Sequence, residues 1–270
     1  MARIPKIVHY VFGMAPDFGG KPWSLVHYAC VRSAIRWIQP QAIYLYYEFE
    51  PSGAWWELTR PLLTPVKMAG PTEIFGNPLL HFAHRADVVR LSKLTERGGI
   101  YLDADVLVHR SFDDLLDHAT VLGLEGEGSS SRGVCNAVIL AEPKARFLQL
   151  WLETYRRFRS RGHDDFWSEH SVRIPFRLAA QYPDEIKVLS HRAFFWPLWL
   201  EEHLRWVFAS IDPIAMDETY ANHLWETVAW DFLKDLTPGS IRRRDTNFHR
   251  WVAPYVAHLP DDFGAPEPRP

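Results

Sequence analysis

The sequence predicts an α/β protein built around a parallel sheet. Residues 6–12 (KIVHYVF) and 42–47 (AIYLYY) are apolar runs of strand length, and residues 24–38 between them have the periodicity of a helix. Ser24 is a suitable N-cap for this helix, and Pro40 lies just beyond its end. The order strand, helix, strand is typical of a parallel crossover unit.

Further elements alternate along the rest of the chain. We expect mostly irregular structure over 50–78, a helix over 80–97 that ends at Gly98 and Gly99, and one continuous strand over 100–108. The later predictions are strands over 121–126, 133–142, 186–190 and 220–225, and helices over 144–159 and 172–181. Residues 1–258 are expected to form a single domain, followed by a flexible Pro-rich tail over 259–270.

Composition excludes several classes of protein. The chain has 270 residues, 47% of them hydrophobic and 23% charged, which is ordinary for a soluble globular protein. A net charge of −3 gives no general attraction to nucleic acid or to an anionic membrane. Cys30 and Cys135 are the only cysteines and lack metal-ligand spacing, which favours a reducing compartment. Without a signal peptide or a transmembrane segment, we expect a cytoplasmic protein, either free or peripheral at the inner membrane face.

Two carboxylates, Asp103 and Asp105, interrupt the apolar run GGIYLDADVLV. On a strand they would point to the same side, with Cα atoms about 6.6 Å apart. Ligands of open α/β sheets bind at the carboxyl ends of strands, and oxygen donors suit Mg²⁺ or Mn²⁺ together with substrate phosphates. An isolated D-x-D pair is more often a pair of exposed aspartates in a turn. The interpretation of this pair therefore depends on the residues around it.

A second pair of charged residues, Asp87 and Arg90, lies one helical turn apart on the preceding predicted helix. Taken alone, this pair is most simply a surface ion pair. The glycine turn at Gly98, however, folds the helix back against the strand that carries the aspartates. Four charged groups could thereby surround one pocket.

The segment AHRADVVRLSKLTERGGIYLDADV, residues 83–106, resembles the DXD region of retaining glycosyltransferases that use nucleotide sugars. This group includes yeast Golgi mannosyltransferases, lactosylceramide galactosyltransferase and capsular polysaccharide sugar transferases, with the clostridial glucosylating toxins as distant relatives. The shared pattern is A-D-x-x-R, a leucine, and G-G-x-Y-x-D-x-D. The resemblance touches most of residues 4–230 and is strongest over 83–112. It implies a GT-A-like, Rossmann-type mixed sheet flanked by helices, with additional helical and aromatic C-terminal segments.

The resemblance also implies roles for the charged residues. Asp105 would coordinate a divalent cation, Mn²⁺ or Mg²⁺, directly. Asp103 would contact ribose or the donor sugar and reach the metal through water, and His223 would lie near metal and diphosphate. Asp87 and Arg90 would hold donor-sugar hydroxyls, with Arg90 near the diphosphate.

Other residues would complete the donor pocket by the same resemblance. Asn136 would face the donor or acceptor sugar, and Tyr101 would line the pocket. Phe12 stands where many relatives place a Trp that stacks on the nucleotide base, which leaves UDP- and GDP-sugars both open as donors. The remaining positions assigned to the pocket or to the closing aromatic segment are His9, Asn222, Trp225 and Trp230.

The implied reaction transfers a sugar to a hydroxyl acceptor, which could be a glycan, a lipid or a small molecule. A metal ion and Arg90 would stabilise the charge that develops on the leaving diphosphate. No residue stands out as a nucleophile, and retention of configuration follows from the resemblance alone.

Two alternatives remain open at the level of sequence. In a haloacid-dehalogenase-like phosphatase, Asp103 would be the nucleophile and Asp105 the acid/base, but Leu107 replaces the usual Thr or Val and the acidic pair in LPDDFG is a poor match. A non-catalytic sugar-nucleotide-binding relative is the other. A calcium loop is excluded because Leu107 occupies a ligand position.

Overall fold

The computed structural model describes residues 2–128 and 131–265, and within them a seven-stranded sheet forms the centre of the fold. From one edge to the other its strands are β10 (Lys187–Leu189), β8 (Thr120–Leu124), β9 (Val134–Ala141), β6 (Gly99–Leu102), β1 (Ile7–Val11), β2 (Ala42–Tyr47) and β3 (Thr64–Lys67). Strand β9 runs antiparallel to both of its neighbours, and the remaining pairings are parallel. The predicted mixed α/β sheet is therefore confirmed.

Helices cover both faces of this sheet. In the described part of the chain they are α1 (Leu25–Ile38), α2 (Ala54–Thr59), α3 (Phe82–Arg97), α4 (Arg146–Thr154), α5 (Ile174–Gln181), α6 (Glu201–Ala209), α7 (Glu226–Leu233), α8 (Pro238–Arg243) and α9 (Asn247–Val256). One apolar core contains buried side chains of α1 and α9. A second core contains those of α3 and α4, including Leu91 and Trp151. Burial of these two helix layers is the main stabilising contribution to the fold.

The return from α3 into β6 places the charged residues of the helix near the end of the strand. Gly98 (φ 65°) closes α3 by donating its N–H to the carbonyl of Leu94 at 2.7 Å, and Gly99 (φ 118°) begins β6. A Cβ at Gly99 would overlap the carbonyl oxygen of Ile7, so this position requires glycine. The predicted helix end at the two glycines is confirmed.

The prediction of one continuous strand over 100–108 is wrong. Strand β6 ends at Leu102, a turn follows in which the Val106 N–H donates to the carbonyl of Asp103 at 3.0 Å, and β7 (Val106–Val108) leaves the main sheet. β7 pairs antiparallel with β11 (Ala221–His223) instead. The sequence pattern hid this change of partner, because both short strands are apolar and buried and periodicity cannot show where one ends.

Other predicted boundaries also need correction. The stretch 50–78 contains α2, edge strand β3 and a small hairpin of β4 (Glu73–Ile74) and β5 (Asn77–Pro78), so it is not mostly irregular. The helix predicted over 144–159 is shorter, because α4 gives way to a 3₁₀ turn at Tyr155–Arg157.

The described part of the predicted tail, residues 259–265, makes contacts with the body of the protein. The ring of Phe263 packs edge-on against Trp55, with centroids 4.9 Å apart, and Asp261 accepts hydrogen bonds from Arg242. Residues 266–270 lie outside the described part. Within residues 2–128 and 131–265, no helix has the length and apolar character needed to cross a membrane.

His9 on β1 gives the fold a predictable pH dependence. The ring is fully buried, its Nε2–H donates to the carbonyl of Gly98 at 2.8 Å, and the Tyr46 hydroxyl donates to Nδ1 at 3.2 Å. Burial lowers the pKa of His9 to about 4. The unfolded chain therefore binds a proton at His9 more readily than the folded chain does, and stability is lost as the pH falls from about 6.5 towards 4.

We expect His9→Gln to lose less stability on acidification than the wild type. Between pH 7 and pH 5 a single such histidine lowers the free energy of unfolding by about 2 kcal/mol, and glutamine cannot titrate. Urea unfolding at the two pH values measures the difference. Parallel pH profiles for wild type and variant would show that His9 is protonated in the folded protein.

Candidate active site

Asp103, Asp105 and His223 form a cluster at the carboxyl end of β6. Each offers one oxygen or nitrogen atom, and these three atoms lie within 4.8 Å of one another. The turn between β6 and β7 brings the two carboxylates together, whereas the antiparallel pairing of β7 with β11 puts His223 beside Val106 in the register. The three side chains therefore meet because the chain leaves the main sheet after β6, and not because alternate residues of one strand share a face.

Asp105 is the most firmly held member of the cluster. Its Oδ2 accepts the Glu226 N–H at 2.9 Å, and its Oδ1 lies 3.3 Å from Nε2 of His223. Burial alone would raise the pKa of Asp105, but His223, the Glu226 N–H and His27 together outweigh burial and lower it to about 2. Burial alone would lower the pKa of His223, but Asp105 and the other nearby carboxylates raise it above the ordinary value. Two carboxylate oxygens and an imidazole nitrogen suit Mn²⁺ or Mg²⁺, which would displace the imidazole proton on binding.

Arg90 joins the groups next to this cluster. Its Nη1 donates to the carbonyl of Asn136 at 2.8 Å and lies 3.1 Å from Oδ1 of Asp103, and its Nη2 lies 3.3 Å from Oδ1 of Asp87. The Asn136 amide donates to the same Asp87 oxygen at 2.7 Å. Because Asp87 and Arg90 are each only 6% exposed, the interpretation of this pair as a surface ion pair is wrong.

Burial shapes the charges of this network. It raises the pKa of Asp87 more than the nearby Arg90 lowers it. For Arg90 burial acts in the opposite direction, but the Asp103 carboxylate and its neighbours outweigh it and raise the guanidinium pKa, so the cation persists. A buried cation tied to three polar partners is preorganised to meet negative charge in the cleft.

Tyr101 contacts both Arg90 and Asp103 from the interior of the fold. It is fully buried, so it does not line the open pocket as expected. Its hydroxyl donates to Oδ1 of Asp103 at 2.6 Å, and the Arg90 guanidinium lies over its ring at 4.3 Å. Tyr101 therefore fixes the position of both charged groups.

These residues lie in one cleft of about 810 Å³. Of the residues expected at the site, those that line it are Asp87, Arg90, Asp103, Asp105, Asn136, His223 and Trp225. Glu125, Arg132 and Trp199 line it as well, although sequence reasoning missed them. Glu125 directly follows β8, whose carboxyl end meets the same edge of the sheet as that of β6. Glu125 falls inside the strand predicted over 121–126, and an acidic residue close to the end of an apolar strand was the signal that could have identified it.

Four residues assigned to the site lie elsewhere. His9 is buried between β1, β2 and the end of α3 and makes the internal hydrogen bonds described above. Phe12 packs against Trp23 and His27 at centroid distances of 5.0 and 5.1 Å, and Asn222 donates to the carbonyl of Trp196. None of these three, nor Trp230 on α7, is among the described residues that line the cleft.

Solved structures similar to this chain include two glycosyltransferases. The PaToxG glycosyltransferase is 16% identical, with 67% of this chain and 70% of that one covered and a TM-score of 0.45. The apo form of the glycosyltransferase GlyE of Streptococcus pneumoniae is 14% identical, with 70% of this chain and 46% of that one covered and a TM-score of 0.44.

Sequence comparisons are more specific. Residues 66–122 match the family described as glycosyltransferase sugar-binding region containing DXD motif. The chain is 41% identical to Glucan organizing enzyme 1 of Cryptococcus neoformans var. grubii over 269 residues. This alignment covers 96% of the chain and 72% of the relative. The chain belongs to the family of glycosyltransferases whose sugar-binding region contains the DXD motif.

Proposed function

We propose that this glycosyltransferase transfers a sugar from a nucleoside-diphosphate sugar to a hydroxyl acceptor, depends on a divalent cation and retains the anomeric configuration. The observation that carries the proposal is that two groups of side chains lie next to each other in one cleft. The Asp103, Asp105 and His223 cluster offers metal ligands, and the buried Arg90 network lies beside it, sharing Asp103. Such an arrangement suits a diphosphate and the sugar attached to it.

Some side chains of the cleft would act on the leaving diphosphate, and others would bind the sugar. A bound Mn²⁺ or Mg²⁺ would supply positive charge to the diphosphate as its bond to the sugar breaks. Arg90 is held rigidly, so its charge is already oriented when negative charge develops. Asp87 and the Asn136 side chain, which are hydrogen bonded to each other at 2.7 Å, offer acceptor and donor atoms for sugar hydroxyls.

Different observations argue against the two alternative functions, the phosphatase and the non-catalytic relative. Membership of a glycosyltransferase family argues against the phosphatase, and Oδ1 of Asp103, its supposed nucleophile, already accepts the Tyr101 hydroxyl. The candidate metal ligands Asp103, Asp105 and His223, with the Arg90 network beside them, favour a catalytic protein over the non-catalytic relative. Retention rests on the family resemblance alone.

Removal of the Tyr101 hydroxyl tests how strongly the position of Asp103 matters. We expect Tyr101→Phe to lower donor turnover by about tenfold, because a charge-assisted hydrogen bond of this kind is worth about 1.5–3 kcal/mol. The apolar ring under Arg90 remains, so the fold should survive, with a melting temperature lower by a few degrees. Full activity of the variant would mean that Asp103 does not need this support.

A screen of UDP- and GDP-sugars with and without Mn²⁺ tests the proposal. Release of nucleoside diphosphate is measured with water as the acceptor. We expect release from at least one donor, only with the metal, and strong dependence on the sugar. Failure of every donor in the presence of Mn²⁺ would favour the non-catalytic alternative.

A further inference from the structure

The outer part of the cleft carries a wall of aromatic rings that the donor site does not use. This aromatic wall consists of His81, Phe82, His84, His163 and Trp167, all of which line the cleft. The rings of His81 and His163 lie 4.8 and 4.2 Å from that of Trp167, centroid to centroid, and His84 lies 4.8 Å from it. His163 is exposed and Trp167 half-buried, so part of the wall faces solvent inside the cleft.

Spacing along α3 relates the wall to the donor site. His84, Asp87 and Arg90 follow one another at intervals of three residues, and each lines the cleft. With a rise of about 1.5 Å per residue, His84 lies about 4.5 Å and His81 about 9 Å from Asp87 along the helix axis. The wall therefore begins where a donor sugar held by Asp87 would end, at the distance of a neighbouring sugar ring.

Local contacts hold the wall in place. The His84 Nε2–H donates to the Trp167 carbonyl at 3.3 Å, and the Asp164 carboxylate accepts the N–H groups of Arg161 and Phe166 at 2.7 and 3.0 Å. Arg159 binds Glu169 through two hydrogen bonds of 2.6 and 2.9 Å. The rings are thus presented by a braced segment, which lowers the entropy that a ligand loses on binding.

The chemistry of the wall fits an uncharged ligand with many hydroxyls. It contains no lysine, arginine or carboxylate, and burial lowers the pKa of His81 to about 4, which keeps that ring neutral near pH 7. Aromatic faces pack against the apolar C–H faces of sugars. Nδ1 of His84 is buried without a hydrogen-bond partner among the described residues, so the wall contains a polar atom that the protein itself leaves unsatisfied.

We infer that the aromatic wall is the acceptor subsite and that the acceptor is a neutral carbohydrate, stacked on Trp167 with its reactive hydroxyl towards Asp87 and the metal ligands. This inference rests on the proposed function, since an acceptor exists only if a donor is used. It adds the substrate class that the donor site leaves open, a glycan in place of a lipid or a protein.

Partition between transfer and hydrolysis tests the inference. Methyl glycosides and neutral disaccharides are offered as acceptors beside short-chain ceramide and a serine-containing peptide, with the accepted donor and Mn²⁺. We expect transfer to a neutral glycoside, and we expect Trp167→Ala to lower the ratio of transfer to hydrolysis at least about tenfold. Trp167→Phe should lie between the two. His163→Ala, which removes an exposed ring and cannot endanger the core, should lower the ratio too.

Trp206→Ala is the matched control, because Trp206 is also half-buried but lies on α6 outside the described lining of the cleft. It should keep the wild-type ratio. Transfer to ceramide or peptide alone, or an unchanged ratio in both wall variants, would overturn the inference while donor hydrolysis still supported the proposed function. If no donor is hydrolysed, saturation-transfer NMR with the same glycosides still decides: binding lost in Trp167→Ala supports a glycan subsite, and no binding to the wild type refutes it.

Discussion

Asp105→Ala is expected to abolish metal-dependent donor hydrolysis. Asp105 supplies one oxygen to the cluster of metal ligands, and its removal leaves Asp103 and His223 without the residue that links them. Mn²⁺ and Mg²⁺ are typically held by one or two carboxylates together with substrate phosphates, so loss of the best-anchored carboxylate should weaken binding of the ion severely. Hydrolysis with saturating Mn²⁺ and calorimetric titration of Mn²⁺ in the presence of nucleoside diphosphate measure the two losses.

Asp105→Asn separates loss of metal from loss of structure. The amide oxygen can still accept the Glu226 N–H, whereas in the alanine variant this N–H has lost its acceptor. An unpaired buried donor costs about 1–3 kcal/mol, so the alanine variant should be less stable than the asparagine variant although both are inactive. Hydrolysis by either variant at the wild-type rate would remove Asp105 from the metal site.

Changes at Arg90 have the second largest expected effect. Arg90→Lys keeps a positive charge but cannot reach Asn136, Asp103 and Asp87 together, because an ammonium group lacks the planar fork of a guanidinium. We expect turnover to fall on the order of a hundredfold, as for a lost transition-state donor, with a smaller change in binding of nucleoside diphosphate. Arg90→Ala should also destabilise the fold by about 3–5 kcal/mol, because Asp87 would remain buried without its cation.

A surface pair provides the control for Arg90. Arg205 and Glu201 are one helical turn apart on α6 with a contact of 2.6 Å, but their side chains are 71% and 80% exposed. Arg205→Ala should change turnover and melting temperature little. If Arg90→Lys behaves like Arg205→Ala, the Arg90 network has a structural role only.

Asp87→Asn tests the sugar side of the same network. The substitution keeps the shape of the side chain and an oxygen that can accept from Asn136, but it removes the negative charge next to Arg90. We expect weaker discrimination among donor sugars and a smaller effect on nucleotide binding. Donor-sugar hydrolysis rates measured beside nucleoside diphosphate affinity distinguish the two, and equal preference for sugars in variant and wild type would contradict the assignment.

Local signals made much of the fold predictable. A few neighbouring residues predict the start of α1 after Ser24 and the end of α3 at two glycines. The same holds for strands β1 and β2. The change of sheet after Leu102 is not, because it depends on the pairing of β7 with β11, which comes from a distant part of the chain. Buried short strands also share one apolar pattern, so their boundaries leave no trace in the periodicity.

The candidate site shows the same division. Helical spacing predicted that Asp87 and Arg90 lie side by side, but their role in the site came from the glycine turn and the family resemblance. In the structure Arg90 contacts both Asp87 and Asp103. His223 could be named only through the family resemblance, since a single histidine in a short strand carries no spacing signal. Arg132, His163 and Trp167 were missed because loops place them, and no local rule fixes which loop residues meet across a cleft.

The anomeric configuration of the first sugar released is the most direct test of the proposed reaction. Real-time proton NMR follows hydrolysis of the accepted nucleotide sugar by the wild type, once with Mn²⁺ and once with EDTA. Metal-dependent transfer with retention predicts that the released sugar first has the configuration of the donor and that EDTA stops its appearance. Release of the inverted anomer, or equal rates in EDTA, would contradict the proposal.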